Sequence, residues 1–270
     1  MTAERLTTAQ ARPEDSNLER SLRPKKLKEF VGQQGLKVNL EIFLTAAKQR
    51  NEPIEHVLLH GAPGLGKTTL AHVIGNELGV NVRVTSGPAI ERAADLAAII
   101  TNLEECDILF IDEIHRLNRV VEEMLYPAME DFGLDIILGK GPAARTVRID
   151  LPRFTIIGAT TRLSMLTSPL RSRFGVTYQL GFYSDDEIAT ILRRSAKLLN
   201  LTVAPDAYSI IASRSRKTPR VANRLLKRVR DFVQVKRQPK LTADLADKAL
   251  SLYDIDLAGL DAMDRQLLRT

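Results

Sequence analysis

At 270 residues the chain has room for one large domain and one small one. Its 44% hydrophobic and 27% charged content is that of a soluble globular protein, and with no tryptophan and 5% aromatics it offers no stacking platform for single-stranded nucleic acid. One cysteine, Cys106, excludes an internal disulfide and a cysteine metal cluster, while the net charge of +6 suits a polyanionic partner as well as a merely basic surface.

The first fifteen residues are polar and carry no signal-peptide core, and no segment approaches the roughly 18 apolar residues of a membrane span. A cytoplasmic protein without membrane contact is expected. Residues 1–17 read as a loose arm. A helical pattern follows over about 34–50, with Leu36, Leu40, Ile42, Phe43 and Leu44 as its apolar positions. Val57–His60 reads as a short buried strand running into Gly61-Ala62-Pro63-Gly64-Leu65-Gly66, with a helix starting at Lys67. Val80–Val84, Ile108–Ile111 and Thr155–Gly158 read as further strands. Strands alternating with helices predict an α/β fold whose mostly parallel sheet is covered on both faces. Between the third and fourth strands lies an inserted β-hairpin, 134–151, with arms Leu134–Leu138 and Thr146–Leu151 and a glycine-containing loop. Beyond Phe182 the segments 185–199, 206–214, 219–237 and 242–253 read as helices of a small all-helical domain. Within it, residues 214–230 hold eight Lys/Arg and no acid. Cys106 sits just before an apolar run, where a structural role is expected.

Gly61 to Thr68 has the Walker A spacing. Gly64 and Gly66 let the backbone wrap closely around phosphates, and the helix that follows presents its N-terminus to an anion. Lys67 is expected at the β- and γ-phosphates, the Thr68 hydroxyl on Mg²⁺, and Thr69 beside the α-phosphate. About 45 residues on, Asp112 and Glu113 end the buried strand 108–111, at the edge where parallel sheets bind ligands. Asp112 is expected to hold Mg²⁺ through water, and Glu113 to orient or deprotonate the attacking water. His115 receives no chemical role. Thr160 and Thr161 close the next strand; either could sense the γ-phosphate, with Thr161 favoured. Arg171, Arg173 and Arg220 read from sequence alone as surface arginines, although a guanidinium can stabilise phosphoryl transfer.

The runs PGLGKTTLAHVIGNELGVNVRVTSGP, LFIDEIHRLNRVVEEMLYPAMEDF, GKGPAARTVRIDLPRFTIIGATTR, SPLRSRFG and TPRVANRLLKRVRDF resemble the RuvB family of bacterial AAA+ motors, which drive branch migration of Holliday junctions; the likeness covers about residues 16–268. The resemblance implies a large AAA+ ATPase domain over 1–182, a helical lid domain over 183–256, and at 257–270 the start of a winged-helix DNA-binding domain whose remainder does not follow. A truncation is expected, with weaker duplex binding than a chain carrying that domain. It also implies ATP or ADP with Mg²⁺, and a homo-oligomeric, hexameric ring on duplex DNA at Holliday junctions in recombination and repair. RuvA and the RuvC resolvase would be its partners.

By the same resemblance Arg173 is an arginine finger reaching a neighbour's site, and Arg220 a sensor acting in cis. Leu22, Arg23 and Tyr183 surround the adenine and ribose, and Glu130, Asp131 and Phe132 are nucleotide-proximal. The hairpin 134–151 docks the third domain of RuvA, with Ile136, Leu138 and Ile149 as candidate anchors. One departure is Lys217, which stands where the family usually has glycine before Thr218-Pro219-Arg220. A non-translocating AAA+ switch, such as a clamp-loader or helicase-loader subunit, shares every ATP-site feature, and the hairpin argues against it.

Overall fold

The structure is a computed structural model that describes residues 6–8, 21–138 and 145–269, with the side chains of 136–138 outside that description. Five strands form one parallel sheet in the order β2-β3-β6-β1-β7: β1 Val57–His60, β2 Val82–Ser86, β3 Ile108–Asp112, β6 Thr155–Thr160 and β7 Val176–Gln179. The central strands β1, β3 and β6 are continuous apolar runs because helices cover both faces. Their side chains alternate between two cores. Val57, Leu59, Ile108 and Phe110 pack with α1 (Gln34–Arg50) and α2 (Lys67–Leu78). Leu58, Leu109 and Ile111 pack with α3 (Ala93–Ile100) and α4 (Arg119–Glu130). The strand ends carrying the chemistry therefore meet at one edge of the sheet.

Two strand assignments needed correction. Strand β2 begins at Val82 rather than Val80, because the Val80 N–H closes the end of α2 on the Gly75 carbonyl at 3.0 Å. Strand β7 was not foreseen. It is a short, half-exposed edge whose Thr177 and Gln179 break any apolar run. The hairpin forms its own antiparallel pair, β4 Gly133–Leu138 with β5 Arg145–Asp150. Its outer arm is largely exposed, with Val147 at 42%. Ile149 packs back against the second core, so it is no free anchor, and the side chains of Ile136 and Leu138 lie outside the described residues.

After the short α5 (Ser168–Ser172) and strand β7 the chain is helical: α6 Asp185–Leu198, α7 Pro205–Ser213, α8 Pro219–Val235 and α9 Ala243–Leu252, then a one-and-a-half-turn α10 Ala262–Leu267. Ser184 opens α6 with a reciprocal cap, its hydroxyl accepting from the Glu187 N–H while the Glu187 carboxylate accepts from the Ser184 N–H. Helix α8 buries Val221, Ala222, Leu225, Leu226, Val229 and Val233, one apolar stripe at helical spacing.

The reading of 1–17 as a loose arm fails at Leu6–Thr8, where Leu6 and Thr7 are buried. The Arg224 guanidinium donates to the Leu6 and Thr8 carbonyls at 3.0 and 2.7 Å, and the Thr7 hydroxyl donates to Asp261 at 2.6 Å. The rest of that arm lies outside the described residues. The basic run 214–230 is likewise less available than its composition suggests. Arg214 pairs with Asp247, Arg216 with Asp264, and Arg228 and Arg230 with Asp231.

Arg216 and Lys217 both adopt left-handed backbone, at φ 54° and 55°. That conformation costs an L-residue about 1 kcal/mol, and glycine takes it without a Cβ clash. The Lys217 carbonyl also accepts the Tyr183 N–H at 3.1 Å, so this turn is tied to the segment that leads into α6. Lys217→Gly should raise stability by about 0.5–1 kcal/mol, a gain of a few degrees at most in a thermal melt. A fall in the melting temperature would show that the lysine side chain contributes more than the turn costs.

Candidate nucleotide site

A cleft of about 370 Å³ opens between the C-terminal strand edge and the helical part. On one wall stands the phosphate loop. Gly66 precedes α2 at φ 99°, and Gly61 turns at φ 149° with an added Cβ landing 2.5 Å from the Leu180 carbonyl oxygen. Neither position accepts a side chain without strain. The Lys67 ammonium is buried and donates to the loop carbonyls of Gly61 and Ala62 at 2.8 and 3.0 Å. Burial lowers its pKa, an effect Asp112 and Glu113 oppose and Arg220 reinforces. A lysine in that position stabilises an anion delivered into the loop. Gly64, Thr68 and Thr69 line the same wall.

The acids come from the end of β3. Burial raises the Asp112 pKa, partly offset by the Glu113 N–H that donates to its Oδ1 at 3.0 Å. Glu113 itself sits in left-handed backbone, φ 48°, an uncommon state for a glutamate and one that swings its side chain out of the strand line. The Thr161 hydroxyl donates to Glu113 Oε2 at 3.0 Å. Thr160 instead is fully buried, 2.9 Å from His115 Nδ1. Of the two threonines left open by the sequence, Thr161 is the one at the cleft.

The third wall is built from segments far apart in sequence. Leu22, Arg23, Phe30 and Val31 face Tyr183, Ile191 and Arg194. The Tyr183 hydroxyl donates to the Leu65 carbonyl at 3.0 Å, and burial pushes its pKa well up, so it stays a phenol. Arg194 on α6 donates to the carbonyls of Leu22 and Arg23, both at 2.8 Å, and so pins the segment that faces the cleft. Arg194 escaped the sequence reading because its partners lie 171–172 residues away, and His115, given no chemical role there, meets Thr160 from 45 residues away besides the nearby Glu113. Arg220 opens α8 over the phosphate loop, its N–H 3.4 Å from the Gly64 carbonyl oxygen.

Glu130, Asp131 and Phe132, expected near the nucleotide, do not line this cleft, and Arg173, expected at a neighbour's site, stands outside it. Arg173 pairs with Glu130 at 3.1 Å, lies over the Tyr126 ring at 4.2 Å and donates to the Pro169 carbonyl at 2.7 Å. Asp131 pairs with Arg148, and Phe132 stacks edge-on with Phe154. Within one chain, then, Glu130, Asp131 and Phe132 do not contact a nucleotide in the cleft. Of the three, Glu130 is the one that contacts Arg173.

The donor set suits a nucleoside triphosphate with a hard cation. Lys67 and Arg220 supply positive charge beside the loop, while Asp112 and Thr68 offer oxygen ligands. Among the described residues no three carboxylate, histidine or cysteine side chains converge into a closed metal cage. Magnesium needs none, since it keeps waters and takes one or two protein oxygens plus phosphate.

A phosphate loop at the edge of a 2-3-6-1-7 parallel sheet, capped by a helical unit that returns an arginine, defines an AAA+ P-loop protein. The family described as the Holliday junction DNA helicase RuvB P-loop domain matches residues 22–180, and the RuvB AAA lid domain matches 183–256. The Thermotoga maritima RuvB Holliday junction branch migration motor is 49% identical with a TM-score of 0.84, covering 93% of this chain and 79% of that one. A proline-to-glycine mutant of Thermotoga maritima RuvB is 50% identical with a TM-score of 0.85, covering 92% and 79%. The chain belongs to the RuvB family of Holliday junction branch migration motors.

Proposed function

We propose that this chain is an ATP-hydrolysing, DNA-translocating motor subunit that drives Holliday-junction branch migration in homologous recombination and repair. Support for hydrolysis comes from one cleft that gathers the phosphate-binding, cation-holding and water-activating groups, namely Lys67, Thr68, Thr69, Asp112, Glu113 and Thr161. Bound ATP would supply the phosphoryl group and Mg²⁺ would neutralise its charge, with Asp112 and Thr68 the residues that would hold the cation. Glu113, with the Thr161 hydroxyl on its Oε2, takes a proton from the attacking water. Leu22, Arg23 and Tyr183 enclose the adenine and ribose. Arg220 senses the γ-phosphate from residues 183–256, which act as a lid and move with the nucleotide state.

The single observation that points to a shared site is the position of Arg173, outside its own cleft and paired with Glu130. A neighbour in a homo-oligomeric, hexameric ring would receive that arginine, so each cleft is completed in trans. Duplex DNA threads the ring, RuvA holds the junction and RuvC resolves it. The cell compartment is the cytoplasm, and no described helix is long and apolar enough to cross a membrane.

The hairpin favours this motor over a loader-type switch. It stands as a separate two-stranded sheet with Val147 exposed, outside the sheet that carries the site. The third domain of RuvA would cover Val147 on that exposed arm. In a pull-down, the parent chain should capture RuvA's third domain. Val147→Asp should weaken capture by tenfold or more, because a carboxylate buried at the contact goes unpaired, while ATP hydrolysis stays at the parent level. Equal capture by both proteins would count for the loader reading.

A further inference from the structure

We infer that His115 is a positioning residue for Glu113: its imidazole, braced by Thr160, fixes the carboxylate at the cleft. The inference rests on Glu113 being the group that activates water.

Glu113 Oε2 lies 3.3 Å from His115 Nδ1, besides its bond from Thr161. The same Nδ1 lies 2.9 Å from Thr160 Oγ1, which accepts the Arg162 N–H at 2.9 Å. A carboxylate only accepts, so the approach to Oε2 is favourable when Nδ1 carries the proton. That N–H then hydrogen-bonds the threonine, and the glutamate oxygen stands beside it as a close polar contact. The exposures divide the roles: the imidazole is 5% exposed and the Glu113 side chain 32%. The ring is walled in, does not line the cleft, and touches the group that does.

Thr160 ends β6, a central strand of the sheet between β3 and β1. A rigid line therefore runs from the middle of the sheet through Thr160 and His115 to a glutamate whose backbone is already turned out of its strand. Without His115, one hydroxyl alone would orient a long, flexible side chain. Orientation governs the chemical step and leaves nucleotide contacts untouched.

ATP hydrolysis by the whole chain is measured for His115→Ala, His115→Asn, Thr160→Val and Glu113→Gln, with ATP affinity and melting temperature read alongside. Loss of this polar contact to the carboxylate predicts a kcat for His115→Ala about 3- to 10-fold down, with KM within about twofold. Asparagine places an amide N–H where Nδ1–H was, so His115→Asn should recover most of the loss. Thr160→Val should lower kcat several-fold, and combined with His115→Ala it should add little, since both cut the same line. Equal loss in His115→Ala and His115→Asn, or a His115→Ala kcat within twofold of the parent, would overturn the inference. Should His115→Ala not fold, an unchanged kcat in Thr160→Val does the same. The control separates the two readings. Full activity in Glu113→Gln removes the underlying role of Glu113, whereas a dead Glu113→Gln beside a fully active His115→Ala removes only the role of His115.

Discussion

Glu113→Gln should cut ATP hydrolysis by about 10²–10⁴ while ATP still binds. The amide keeps the size of the side chain and can still meet the Thr161 hydroxyl, which sits 3.0 Å from Oε2. It cannot take a proton from water. Lys67→Ala should lose hydrolysis to a similar extent, but by another route. The buried ammonium that now donates to Gly61 and Ala62 is the group available to the phosphates, so affinity should fall with rate. Phosphate release measured beside a fluorescent-nucleotide titration separates the two. Were both variants to hydrolyse ATP at the parent rate, the cleft would not be the reaction site.

Arg173→Ala should be as severe by rate and nearly silent by affinity. Arginine fingers contribute about 10³–10⁵ in kcat, because the guanidinium meets charge that develops only in the transition state. In a single chain Arg173 does not line the cleft; its guanidinium is held by Glu130, the Tyr126 ring and the Pro169 carbonyl. Removing it therefore leaves every cis contact with nucleotide in place. A loss of ATP affinity as large as the loss of rate would instead place Arg173 among the cis binding groups. On the proposed trans reading, Arg173 also tells oligomer-dependent catalysis from a simple site defect, since its effect would exist only where two subunits meet.

Much of the site could be read along the chain because its parts are contiguous. Gly61–Thr68 needs a strand before it and a helix after it, and β1 and α2 begin where their residues require. Asp112 and Glu113 follow an uninterrupted apolar run, which in a parallel sheet means a buried strand with its end at the ligand edge. The helices read at about 34–50 and 185–199 appear at Gln34–Arg50 and Asp185–Leu198. What could not be read depends on tertiary approach. Arg194 looks like any exposed helix arginine until α6 brings it onto the carbonyls of Leu22 and Arg23. Thr160 and Thr161 are chemically alike, and only the sheet decides which one turns to Glu113 and which to His115. Arg224 and the other arginines of the run 214–230, eight Lys/Arg without an acid, suggested more free positive charge than the fold leaves. Their partners, Leu6, Thr8, Asp247 and Asp264, lie far off in sequence and take up much of that charge. Edge strand β7 stayed hidden because half of its residues face solvent and carry no apolar signal.

The shared site is tested most directly by mixing two inactive variants, Arg173→Ala and Lys67→Ala, and measuring phosphate release. Each variant alone lacks one half of every active interface. In a randomly mixed ring at equal amounts, roughly one interface in four pairs the intact cleft of an Arg173→Ala subunit with the intact arginine of a Lys67→Ala neighbour. ATP hydrolysis should therefore return toward about a quarter of the parent rate, on interfaces that neither variant can form by itself. Activity that stays at the sum of the two separate variants, although they co-assemble, would contradict a cleft completed in trans.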